Sequence, residues 1–157
     1  MKTILGIDVG QNGALVYYDG VELIPHRMPV FEIKKGKSIR KRVDFRGVCN
    51  ILKADKPDHA YVENVSAQFG NGAAQAFSFG RACEAIENAL IACNVPYSMV
   101  TPQEWKRAMQ CPAEKDGARM RASQLLPGWS HCWDKKCLDG VAEAAMIALY
   151  GYNKTTP

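Results

Sequence analysis

Residues 3–10, TILGIDVG, form an apolar run that closes on an acid and a glycine. The run reads as a strand buried in a core. Asp8 then sits near the end of that strand, where a buried carboxylate is costly unless it is paired or metal-bound. A tight turn follows at GQNG (10–13), then the β-rich run ALVYYDG (14–20), whose DG is a hairpin signal. VELIPHRMPVF (21–31) reads as a third strand, with Pro25 and Pro29 pushing it towards an edge. The opening therefore predicts a three-stranded antiparallel meander.

The rest of the chain alternates. DFRGVCNILKADKP (44–57) has helical spacing at Phe45, Val48, Ile51 and Leu52. HAYVEN (59–64) reads as a strand, VSAQFGNG (65–72) as a glycine-bearing loop, and 73–93 as a long helix. PYSMV (96–100) is another strand, and PQEWKRAMQ (102–110) opens on a proline suited to a first helical turn. AEKDGARMRASQLL (113–126) reads as a helix weakened by Gly117, followed by a connector and a last helix over 139–150. A meander followed by alternating elements predicts an α/β fold: a mixed five-stranded sheet of three antiparallel and two parallel strands, flanked by helices. The length predicts one domain over 1–157.

Composition excludes some classes. Apolar content of 47% and charged content of 23% are ordinary for a soluble globular protein. No apolar run reaches the roughly 18 residues of a membrane span, and the first residues do not read as a signal peptide. The six cysteines include no CxxC pair, which predicts a reduced, cytoplasmic protein. Cys111, His131, Cys132 and Cys137 fall close in sequence but match no standard zinc spacing. The net charge is +4, and KKGKSIRKRVDFR (34–46) concentrates it, with Lys34, Lys35, Lys37, Arg40, Lys41 and Arg42 against the single acid Asp44. Such a run is either a solvated loop or a contact for a polyanion.

Four acids stand on elements that would otherwise be buried. Glu63 repeats the anomaly of Asp8 at the end of its strand, and Asp139 and Glu143 lie four apart at the start of an apolar helix, DGVAEAAMIALYG. That spacing points both side chains one way. Strand ends gathered at one sheet edge form sites in α/β proteins. Carboxylates gathered there repel one another unless hard divalent cations, Mg²⁺ or Mn²⁺, sit between them. Two such ions stabilise the attacking and leaving oxygens of a phosphodiester displacement. Three of the acids also have a plainer reading, Asp139 as a helix N-cap, Glu143 and Glu63 as solvated acids, whereas Asp8, flanked by hydrophobic residues, is the hardest to dismiss.

Five stretches together resemble the RuvC family of Holliday-junction resolvases, within the ribonuclease H-like superfamily. They are GIDVGQNGALV, YVENV, AFSFGRACEAI, the pair EWKRAM and AEKDGAR, and DGVAEAAMIAL, covering about residues 3–150. The departures from the bacterial pattern suggest a phage or virus-type member. The last two acids are four apart rather than three, so that Gly140 takes the usual penultimate position, and the final acid is Glu rather than Asp. The resemblance implies a structure-selective endonuclease that resolves four-way junctions by paired symmetric nicks. Asp8, Glu63, Asp139 and Glu143 would hold two Mg²⁺, with Mn²⁺ substituting, and the products would carry 5′-phosphate and 3′-hydroxyl ends. Lys106 and Lys115 would contact phosphates, and the basic run a further duplex arm. Phe69, beside Gln68 in SAQFGNG, would stack on an unpaired base near the crossover, or else anchor its loop in the core.

A homodimer would present two sites to the two-fold junction. Helix 73–93, with Ala76, Gly80, Cys83 and Ala89 beside Phe77 and Phe79, would be its seam or simply core packing. Other readings are a nuclease of the same superfamily acting on other branched DNA or on RNA, like YqgF, and a junction-binding protein without catalysis. GIDVGQNGALV alone also fits an actin-like or sugar-kinase ATPase fragment, but the length of one domain and the lack of a second phosphate motif argue against it.

Overall fold

The computed structural model describes residues 1–66, 72–114 and 116–156. Five strands form the main sheet: β1 (Ile4–Asp8), β2 (Ala14–Tyr18), β3 (Leu23–Arg27), β6 (His59–Glu63) and β7 (Tyr97–Val100). Their order is β3-β2-β1-β6-β7. The first three pair antiparallel, and β6 and β7 run parallel to β1. This is the mixed sheet expected from the sequence.

Helices cover both faces. On one side lie α1 (Phe45–Ala54) and α2 (Ala73–Ala92), against Leu5, Ile7, Ala60 and Val62. On the other lie α3 (Pro102–Ala108), α4 (Gly117–Leu125) and α5 (Asp139–Thr155), against Ile4, Val16 and Tyr61. Alternation along β1 and β6 explains the division, since successive side chains of a strand point to opposite faces. The central helix is α5, which crosses β1 and β2 closely. Its approach needs small residues: a Cβ on Gly6 would overlap the Ala144 carbonyl, and one on Gly151 would overlap the Tyr61 ring.

Three expectations need correction. The basic run is not a loop. Val30–Lys35 (β4) and Ser38–Val43 (β5) form a separate two-stranded antiparallel hairpin, so the third strand of the main sheet ends at Arg27 rather than at residue 31. Pro29 has no N–H to continue the earlier ladder, and Gly36, at φ 61°, supplies the positive dihedral that a two-residue hairpin turn demands. Register sets Glu32 opposite Lys41 and Phe31 opposite Arg42, whose guanidinium lies over the Phe31 ring, so cross-strand neighbours offset part of the charge. The fourth helix starts at Gly117, which lies at its first turn, where a Cβ would overlap the Pro112 carbonyl. The last helix runs on to Thr155, and two 3₁₀ turns (Pro127–Trp133 and Lys136–Leu138) occupy the connector before it. Among the described residues no helix is long and apolar enough to cross a membrane.

Candidate active site

Asp8 and Glu63 are the last residues of neighbouring parallel strands. Ile7 pairs with Val62, so the two acids come next on each strand. Parity puts them on the face that α5 covers: Ile4 and Tyr61 point there, while Leu5, Ile7, Ala60 and Val62 point the other way. The first turns of α5 lie over this edge. Gly140 is buried against the β1–β2 turn, where a Cβ would overlap the Asn12 carbonyl and come within 3.0 Å of Asp8 Oδ2. That contact brings Glu143, one turn further along, over the strand ends. One carboxylate oxygen from each of Asp8, Glu63 and Glu143 lies within 4.8 Å of the other two.

The environment is hostile to three negative charges. Glu63 is only 5 % exposed. Burial, then the charges of Glu143 and Glu63, hold the Asp8 carboxyl well above its ordinary range. Burial and Glu63 likewise raise Glu143. Lys106 is the cation that opposes both shifts. It sits on α3 with its ammonium 5.4 Å from the centre of the Trp105 ring. The neighbouring Trp105 is fully buried, and its Nε1–H donates to Glu63 Oε1 at 2.8 Å. A capping box holds α3 in place. The Thr101 hydroxyl accepts from the Glu104 N–H at 3.2 Å, and Glu104 Oε2 accepts from the Thr101 N–H at 2.8 Å. Glu63 pairs with Val100 at the end of β7, so this capped turn begins directly beside the site.

The structure brings three of the four expected acids together. Asp139 lies outside the trio, where its Oδ1 meets Arg119 Nε at 2.6 Å. Neither atom has an aligned hydrogen bond among the described residues. Arg119 also donates from Nη2 to Asp116 at 2.7 Å, so it ties the start of α5 to the start of α4. The Asp139 side chain does not cap its helix, which begins at Asp139 itself. Phe69, Gln68 and Lys115 lie outside the described residues. Cys111, His131, Cys132 and Cys137 form no metal-sized group; among the described residues the acid trio alone does.

Lys34, Lys35, Lys37, Arg40, Lys41 and Arg42 all lie on the β4–β5 hairpin or its turn. The hairpin and α2 flank a groove of about 900 Å³ that reaches Asp8 and the β1–β2 turn. The residues proposed as a seam on α2 divide. Ala89 is buried in the core, whereas Phe77 is 67 % exposed and Gly80 faces open space.

Trp105, Arg119 and the packing role of Gly140 were not legible as functional features in the sequence. Gly140 carried a signal, because glycine inside a helix costs about 1 kcal/mol relative to alanine and so points to a close approach. Trp105 carried none beyond its large apolar ring.

No protein-family model matches the sequence, and no curated protein does. Solved structures do resemble it. RuvC of T. thermophilus in complex with a Holliday junction substrate aligns with a TM-score of 0.67 at 18% identity, over 99% of this chain and 96% of that one. A second Thermus thermophilus RuvC structure gives 0.59 at 19% identity, over 98% and 97%. The fowlpox virus Holliday junction resolvase gives 0.54 at 13% identity, over 98% and 99%. The fold of this chain is therefore that of these resolvases over nearly its whole length.

Proposed function

We propose that this chain is a metal-dependent endonuclease that cuts four-way or related branched DNA. The observation that carries the reading is the meeting of Asp8, Glu63 and Glu143 at the ends of β1, β6 and the first turns of α5. Its support from outside the chain is a fold shared with proteins described as Holliday junction resolvases.

The donor set fits hard divalent cations. It offers carboxylate oxygens only, packed closely enough to repel, with Lys106 as the nearby counter-charge among the described residues. Asp8, Glu63 and Glu143 would hold Mg²⁺, two ions per site, with Mn²⁺ able to substitute. Bound ions of this kind supply polarisation of the phosphodiester and a water that is nucleophilic near neutral pH. Trp105 fixes the orientation of Glu63 through its hydrogen bond to Oε1. Lys106 stands where a phosphate at the trio would meet its charge. Asp139, held by Arg119, orients the first turn of α5 rather than joining the ligands. Lys115, Phe69 and Gln68 are assigned to DNA contact on the sequence alone. The basic hairpin contacts DNA outside the site. About six neutralised phosphates would make binding fall with log salt at a slope near −5. A homodimer would place two such sites on a two-fold junction for paired nicks leaving 5′-phosphate and 3′-hydroxyl ends.

The test is cleavage of a synthetic four-way junction with Mg²⁺, beside linear duplex and RNA-containing controls, by wild type and Asp8→Asn. Wild type should nick opposed strands of the junction symmetrically, and Asp8→Asn should bind without nicking. Equal cutting by both proteins would remove the trio from the chemistry. Cutting of the controls with the junction spared would assign the site to a different nuclease of this fold.

A further inference from the structure

The groove between the β4–β5 hairpin and α2 is not explained by the acid trio. We infer that it is a channel for an unpaired strand of DNA leading away from the Asp8 edge. The inference rests on the nuclease reading and deepens it, because it names the form of DNA held beside the site.

Charge is the first argument. Lys35, Arg40, Lys41, Arg42 and Arg81 line the groove, against Asp8 at its mouth and Glu84 within it. The register of the hairpin puts Phe31, Ile33, Lys35, Arg40 and Arg42 on one face, since Ile33 pairs with Arg40 and Phe31 with Arg42. Most of that face lines the groove.

The second argument is the exposure of aromatic rings. Phe77 on α2 is 67 % exposed and Phe45 at the start of α1 is 44 % exposed, and both line the groove. Neither ring is buried in the core. The Arg81 guanidinium lies 5.5 Å from the centre of the Phe77 ring, and that of Arg42 lies 5.6 Å from Phe31. A basic track with aromatic platforms is the chemistry that holds single strands, because phosphates follow the cations and base faces stack on the rings. In a duplex the base faces are stacked on one another and cannot use these platforms.

Size is the third argument. A concavity of about 900 Å³ lies within the range of small-ligand pockets, roughly 300–1,000 Å³. It accepts a few nucleotides of one strand rather than a turn of duplex. The lining of the groove also runs along the β1–β2 turn to Asp8 at the end of β1, the one member of the trio that borders it.

The test uses the full chain in EDTA, where no cutting occurs. The probes are a labelled oligothymidine of about 15 nucleotides, near the upper end of single-strand site sizes, and a duplex of the same length. Phe77→Ala should weaken oligothymidine binding about 5- to 150-fold, the effect of losing one stacked base. Duplex affinity should change by less than about twofold, a free-energy change within ordinary surface effects. The double change Arg40→Gln with Arg42→Gln should flatten the single-strand salt slope by about 1.4, at roughly 0.7 per phosphate. Equal weakening of both probes by Phe77→Ala, or weakening of neither, overturns the channel. So does loss of binding that tracks dissociation of an oligomer in sedimentation, which would assign Phe77 to a protein interface. Junction nicking in Mg²⁺ separates the two readings. Nicking by wild type with strand binding indifferent to Phe77 sinks only the channel. Strand binding that depends on Phe77, without nicking of any substrate, sinks only the nuclease.

Discussion

The Trp105 indole donates a 2.8 Å hydrogen bond to Glu63, and both side chains are buried at the base of the acid trio. Removing the donor without removing the ring tests its part. Trp105→Phe should cost about 1–3 kcal/mol of stability, as expected when a buried acceptor loses its partner. It should also weaken Mn²⁺ binding by roughly 10- to 100-fold, the usual penalty for losing an outer-shell partner. Denaturant melts and calorimetric Mn²⁺ titration check the two effects. Unchanged Mn²⁺ affinity would make the bond purely structural.

The trio should give the metal-free protein an inverted acid response. Burial and mutual repulsion raise the Asp8 and Glu143 carboxyls above their unfolded values. The folded state therefore keeps protons that the unfolded chain has already released. Its stability should fall as pH rises from about 4, the unfolded carboxylate range, through the raised native values. Asp19 and Glu104, whose carboxylates accept backbone N–H bonds, are held low and act in the opposite sense at more acidic pH. The difference between wild type and Asp8→Asn isolates the site. In EDTA the variant should melt higher at neutral pH, with the gap closing towards pH 4. Added Mg²⁺ should raise the wild-type midpoint most at neutral pH, because binding displaces protons. A wild type that melts higher than Asp8→Asn in EDTA at neutral pH would contradict this account.

Asp139 and Glu143 should behave differently although they share a helix face. Glu143→Gln removes a member of the trio and should reduce nicking by orders of magnitude with DNA binding retained. Asp139→Asn breaks an ion pair with Arg119 and should leave nicking within an order of magnitude of wild type. Arg119→Gln should resemble Asp139→Asn, and the double variant should add little to either. A null phenotype for Asp139→Asn with a mild one for Arg119→Gln would return Asp139 to the metal.

Gly140 is a steric requirement of the site. Gly140→Ala places a methyl against the Asn12 carbonyl and should destabilise by about 1–3 kcal/mol, as overpacking does. Gly140→Asp should be worse, because it adds a charge beside Asp8. A thermal melt with and without Mn²⁺ checks this. A Gly140→Asp protein that folds as well as wild type and binds Mn²⁺ more tightly would show that the turn can yield to a fourth acid.

Much of this architecture was legible in local pattern. The strand ILGID, the parallel pair at β6 and β7, the Pro-led start of α3 and the small-residue body of α5 follow from hydrophobic period and capping, which act over a few residues. The β4–β5 hairpin was not legible as strands. It is held by its ladder and by cross-strand contacts such as Arg42 over the Phe31 ring, and charge density concealed the alternation.

By itself the sequence placed four acids, Asp8, Glu63, Asp139 and Glu143, at the ends or first turns of buried elements, because period and parity assign each a face. The expectation drawn from it is that all four gather at one sheet edge. Only the tertiary structure decided which acids meet. Gly6 and Gly140 set how closely and in what rotation α5 lies on β1. That packing turns Glu143 onto the strand ends and leaves Asp139 to Arg119. Two residues four apart share a helix face, but a face spans enough arc that one carboxylate joins a cluster while its neighbour pairs with a cation from another helix.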